Sequence, residues 1–211
     1  LFRRLFAEGA FNSAFVPLYT ERLEGDGQDE AREFARQVAS VLFTAMLVLV
    51  IAAQLAMPWL MVFLGPGFVG QPEIFDTAVL FTQITMPYLL MMSLSAMFSG
   101  VLNAHGKFAV VAAAPVLLNL TLIGIMFFSE LRGRELSYYL TWGITISGVI
   151  QLAWIYAAMQ RLGIGLAVRV PRLTPGVKKL IVLGVPGAVA AGVTQINILV
   201  TSAIATNQAS A

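Results

Sequence analysis

The sequence predicts an all-α, polytopic membrane helical bundle of about six transmembrane helices, and three observations carry the prediction. Of 211 residues, 58% are hydrophobic and only 11% are charged, against about 25% charged in an ordinary soluble domain. The mean hydropathy is +0.82, so the chain lacks the polar residues to cover a water-facing surface, and the natural solvent for its exterior is lipid. The ionisable residues are also gathered into short clusters, separated by uncharged runs long enough to cross a bilayer at about 20 residues per span.

Taken in order, the first run is Leu1 to Thr20, apolar except for Arg3, Arg4 and Glu8. Between Arg36 and Glu73 there is no ionisable residue; a span over 38–64 is expected there, ended by Gly65-Pro66-Gly67. Further spans are expected near 77–103, 108–129, 136–160 and 180–203, each bounded by charged residues or the His105-Gly106-Lys107 turn. Continuous stretches such as Leu47-Val48-Leu49-Val50-Ile51 lack the alternation of a membrane β-strand. All 211 residues read as one transmembrane domain, and a start at Leu1 inside an apolar run suggests a fragment of a longer protein.

The loops orient the bundle. Those after the first, third and fifth spans hold Arg22, Arg32, Arg36, Lys107, Arg161, Arg169, Arg172, Lys178 and Lys179, whereas the other two hold only Arg132 and Arg134. The positive-inside rule makes 21–36 and 161–179 cytoplasmic loops, so the first span enters from outside and an odd number of spans should precede it. The segment 21–36, with six acids and three arginines, reads as a helical, solvated extension. The segment 161–179, where Leu162, Ile164, Leu166, Val168 and Val170 mix with five cations, reads as a topology anchor or as a surface segment resting on anionic lipid.

Several function classes have no seat. The basic residues are scattered, although the pI is near 9.2, so nucleic acid is not an expected partner. Without cysteine there is no disulfide and no thiolate metal site. No nucleophile set, paired catalytic carboxylates, phosphate loop or metal-ligand spacing is visible; no enzyme activity, cofactor or metal is expected.

The informative residues lie in the first span. Arg4 and Glu8 are one helical turn apart, and Arg3 continues into a stripe of small residues at Ala7, Ala10 and Ala14. A charge at the bilayer centre costs roughly 2.5–3.5 kcal/mol on insertion scales, so three in one span call for a wet cavity or for each other. The competing reading is interfacial: from Arg4 to Glu21 a helix rises about 26 Å, nearly the hydrocarbon thickness. Other polar candidates within spans are Asn119, Gln151, Gln195 and Asn197, expected to bond between helices. Pro58, Pro87, Pro115 and Pro186 each fall within a span, where a missing N–H frees a carbonyl. His105 reads as an ordinary loop residue.

The run Arg3-Arg4-Leu5-Phe6-Ala7-Glu8-Gly9-Ala10-Phe11, followed by Ala14-Phe15-Val16-Pro17, resembles the signature of the MviN/MurJ family of bacterial lipid II flippases. Weaker likeness continues through Ile84-Thr85-Met86-Pro87-Tyr88, Gly100-Val101-Leu102-Asn103-Ala104, Pro115-Val116-Leu117-Leu118-Asn119, Gly184-Val185-Pro186 and Gln195-Ile196-Asn197. The resemblance implies the N-terminal lobe of a fourteen-helix, two-lobed exporter of the multidrug/oligosaccharidyl-lipid/polysaccharide superfamily, with this chain matching helices two to seven. It further implies an inner-membrane protein that moves lipid II from the inner to the outer leaflet by alternating access, with lipid II and membrane lipids as partners. Arg3 and Arg4 then match cationic cavity residues and Glu8 the acid beside them; Asn119, Gln195 and Asn197 are secondary candidates. The alternatives are a flippase for another polyprenyl-linked oligosaccharide, or a multidrug antiporter, for which acids rather than arginines would be expected in the spans.

Overall fold

A computed structural model describes residues 10–128, 133–166, 169–186 and 201. The described residues form an all-α bundle: α1 Ala10–Gly25, α2 Gln28–Leu64, α3 Pro72–Ala104, α4 Phe108–Phe128 and α5 Gly133–Arg161, then α6 over 175–186. Four of them, α2 to α5, are long and apolar enough to cross a membrane. The first and last expected spans continue into residues outside the described set. α2 has 37 residues, about 55 Å at 1.5 Å per residue, so it extends well past a hydrocarbon layer of about 30 Å.

The turns follow from the sequence locally. α1 breaks at Asp26 and Gly27, whose N–H groups both return to the Arg22 carbonyl. α2 restarts with Asp29 and Glu30 in its first turn, where acids complement the helix dipole. At its far end Gly65 closes on Met61, Pro66–Phe68 forms one 3-10 turn, and Pro72 opens α3. α3 ends in a Schellman motif. Lys107 N–H reaches Leu102 O and Gly106 N–H reaches Asn103 O, with Gly106 at φ +72° as that cap requires. α5 ends likewise at Gly163, and its buried pair Met159 and Ile164 supplies the accompanying apolar contact.

α3 is the hub, touching α1, α2, α4 and α5. Side chains are absent where helices cross closely. A β-carbon at Gly148 would lie 2.7 Å from the Tyr88 ring, and one at Gly143 would lie 2.5 Å from Ile125; small residues serve the same purpose in membrane helices generally. The largest buried cluster sits at the end of the bundle formed by Phe15, Tyr19, Ala31–Met46 of α2, Leu94–Leu102 of α3 and Ile155–Met159 of α5. The exterior is apolar: Leu55, Trp59, Phe63, Leu120, Ile123 and Phe127 are each more than half exposed. Trp59 and Phe63 near the end of α2 are exposed, as are Tyr138, Tyr139 and Trp142 near the start of α5; Trp and Tyr are the side chains enriched at membrane interfaces.

Two of the intramembrane prolines are answered by a pair of side chains that the sequence reading passed over. In a helix the N–H at position 58 would bond the carbonyl of Gln54, and that at 87 the carbonyl of Gln83; proline leaves both carbonyls without that partner. Gln54 Nε2 donates to Gln83 O at 2.8 Å, and Gln83 Nε2 donates to Gln54 O at 3.2 Å. Each glutamine thus fills the vacancy made by the proline of the other helix, tying α2 to α3. One residue on, Thr145 Oγ1 of α5 donates to Ile84 O at 2.6 Å, so the Pro87 turn is held from both sides.

The segment 161–179 is more deeply engaged than a surface segment on lipid. Ile164 and Leu166 are 1% and 3% exposed, and Val177 and Leu180 also join the core; Val170 and Leu173 point outward, at 80% and 60% exposure. Val168 lies outside the described residues. The reason is geometric: after the α5 cap the chain turns back across the ends of α1 and α2. Arg32 donates to Gly165 O, and Gly176 lies beneath Arg22, whose guanidinium sits 4.0 Å over the Phe34 ring.

Candidate functional site

Arg3, Arg4, Glu8, Gln195 and Asn197 lie outside the described residues, as do the apolar stretches around them. What the structure does describe is the second half of the first motif, and it is a packing seam. Phe15 is fully buried, with its ring centroid 5.5 Å from Phe11, 5.7 Å from Tyr19 and 5.9 Å from Phe34. Asn12 Nδ2 donates to Ala96 O of α3 at 3.2 Å. One turn along α3, a β-carbon at Gly100 would meet Asn12 Oδ1 at 3.0 Å and Val16 at 3.2 Å. Asn12, Phe15 and Val16 of the first motif therefore close on Gly100 of another. This contact fixes the rotation of α1 about its axis against α3.

The seam ends at His105, which is more than a loop residue. It caps α3, its Nε2 shares a hydrogen bond of 3.0 Å with the Tyr19 hydroxyl, and the two rings meet edge to face. Burial lowers the imidazole pKa, which favours the neutral ring that the tyrosine needs as a partner.

The remaining polar candidates separate. Asn119 is exposed on α4, a helix on which Ala114 is the buried hydrophobic residue among those described. Gln151 is 2% exposed and donates to Ser147 O of its own helix at 3.2 Å, so among the described residues it makes no bond to another helix. Besides Asn12, the amides that bond between described helices are Gln54 and Gln83. Their signal was in the sequence: each stands four residues before a proline within an uncharged run. Among the described residues no group of three or more His, Cys, Asp or Glu is placed to hold a metal ion.

Long apolar helices with lipid-compatible exteriors, and internal polar groups paired across helices, define a polytopic α-helical membrane protein. The family model described as lipid II flippase MurJ matches residues 1–211, and the chain belongs to that family. It is similar to the probable lipid II flippase MurJ of Rhizobium tropici, 44% identical over 99% of this chain and 40% of that protein. It is similar also to the corresponding protein of Rhizobium meliloti, at 46% over 97% and 39%. The lipid II flippase MurJ of Burkholderia cenocepacia is 32% identical over 97% of this chain and 40% of its own. The chain therefore spans about two-fifths of the length of these curated relatives.

Proposed function

We propose that this chain is the N-terminal lobe portion of a flippase that carries lipid II from the inner to the outer leaflet of the bacterial inner membrane by alternating access. The observation that carries the reading is the family match over residues 1–211. Arg3 and Arg4 contact the diphosphate in a wet central cavity, and Glu8 positions Arg4 from one turn away. An arginine offers five donors in a fixed fork and a permanent charge, chemistry suited to a phosphate that must pass an apolar slab. The polyprenyl tail stays in lipid while the head passes through the cavity. The relatives are named flippases, which supports reading the protein as a transporter. The test is replacement: the full-length protein, expressed in bacteria depleted of their own lipid II flippase, restores lipid II at the outer leaflet and supports growth. Restored growth with no lipid II exposure, or restoration of another polyprenyl-linked glycan in its place, would reject the assignment.

The same reading sets the topology. Segments 21–36, 105–107 and 161–179 face the cytoplasm and 65–76 the outside, on the strength of the loop charges. The chain contains no cysteine, and Gly70 and Val170 are both exposed in the fold, so packing within the protein does not block labelling, and a second labelling of permeabilised cells separates sidedness from cover by lipid. In a cysteine-free full-length background, a membrane-impermeant maleimide labels Gly70→Cys in intact cells and spares Val170→Cys. The reverse pattern would invert the bundle.

A further inference from the structure

We infer that a cationic cleft between α2 and the segment 169–174 is a binding site for a phosphate group, and that its occupant is the phosphodiester headgroup of an anionic membrane phospholipid. The site uses neither of the proposed cavity arginines and does not depend on the flipping assignment.

One wall of the cleft is the face of α2 that presents Glu33, Arg36, Gln37 and Ser40 at helical spacing, and the other is the chain from Arg169 to Thr174; they enclose ≈ 620 Å³. The walls are stapled at both ends. Arg169 N–H donates to Ser40 Oγ at 2.9 Å, and Thr174 Oγ1 donates to Gln37 Oε1 at 2.7 Å. Three guanidiniums, of Arg36, Arg169 and Arg172, line the space against the single carboxylate of Glu33. That carboxylate is occupied on both oxygens, one taken by Arg36 Nη1 at 2.6 Å and the other by Gln37 Nε2 at 3.3 Å. Arg169 and Arg172 make no side-chain hydrogen bond or ion pair with it or with any other described residue. Arg36 Nε is buried without a hydrogen-bond partner, although a buried N–H in a folded protein is nearly always paired. An excess of positive charge and an orphaned buried donor in a cleft of this size describe a site for an anion with several acceptor oxygens.

Two features select a lipid over a soluble anion. Arg36 stands at the boundary of α2, just before the uncharged run that begins at Gln37, so the cleft lies where hydrocarbon gives way to headgroups. The arginines on the opposite wall also alternate with apolar side chains that face outward: Val170 is 80% exposed and Leu173 is 60% exposed. Arginines that line a cleft beside aliphatic groups that reach out of the protein suit the glycerol-phosphate region of a phospholipid.

The test uses purified full-length protein and short-chain phosphatidylglycerol as the probe, with thermal stabilisation as the readout. The double variant Arg169→Gln/Arg172→Gln removes charges that have no partner among the described residues, so it folds as the parent does. It should bind the probe more weakly by a factor on the order of 30. Lys178→Gln/Lys179→Gln removes the same charge outside the cleft and should retain the parent's affinity, and short-chain phosphatidylcholine should not stabilise either protein. Equal weakening in both double variants would reduce the effect to general surface charge and overturn the site. Equal stabilisation by inorganic phosphate or pyrophosphate would overturn the phospholipid as occupant.

Discussion

In the full-length protein, Arg3→Ala or Arg4→Ala reduces outer-leaflet lipid II to the level of depleted cells while leaving membrane insertion intact. The expectation follows from cost. A charge carried into the bilayer on a helix is penalised by roughly 2.5–3.5 kcal/mol, so two arginines and a glutamate within six residues are retained against a substantial insertion penalty unless they act on a charged ligand. Loss of either fork leaves a doubly charged head facing hydrocarbon with half of its donors. Arg→Lys at the same positions restores part of the signal, because an ammonium supplies charge without the bidentate geometry. Glu8→Gln costs less than either arginine, since it removes a positioning contact and no ligand donor. The measurement is lipid II exposure at the cell surface with protein level matched by immunoblot. Wild-type exposure with both arginines replaced by alanine would make them interfacial anchors, as a helical rise of about 26 Å from Arg4 to Glu21 permits.

The fold was legible where it depends on period and charge, and less so where it depends on contacts distant in sequence. Uncharged runs and the Gly65-Pro66-Gly67 break located α2 and its end, because helix length and lipid compatibility are local properties of composition. Burial of Ile164 and Leu166 was not legible. Nothing in an alternating basic and apolar segment says that it folds back onto α1 and α2, since that depends on the turn after Gly163. His105 was read as a loop residue because its partner Tyr19 is 86 positions away. The first motif carried the family resemblance correctly, yet its described half, Asn12 to Val16, spends its side chains on Gly100, Ala96 and an aromatic stack. A sequence signature records such packing constraints and ligand contacts together, without separating them. The arginine-lined cleft of Arg36, Arg169 and Arg172 joins residues over 130 apart and had no counterpart in any linear pattern.

The proline-glutamine exchange between α2 and α3 predicts an unusual pattern of rescue. Gln83→Leu should destabilise the full-length protein by about 1–2 kcal/mol, because the Gln54 carbonyl, freed by Pro58, loses its donor in a region without water. Gln54→Leu should cost a similar amount by exposing the Gln83 carbonyl freed by Pro87. Restoring a backbone N–H repairs only the vacancy in its own helix. Pro58→Ala lets residue 58 bond Gln54 O, so in that background Gln83→Leu should cost little while Gln54→Leu keeps its full effect. Pro87→Ala should rescue Gln54→Leu and leave Gln83→Leu unrelieved. The rescue is therefore crossed: the proline of one helix matters to the glutamine of the other, as the 2.8 Å and 3.2 Å bonds require. Thermal unfolding of the four single variants and the four double variants in one detergent decides the matter. A glutamine side chain that merely fills space would lose the same stability in every background. Rescue confined to the proline on the same helix as the mutated glutamine would mean that each side chain serves its own helix, and the interhelical exchange would be wrong.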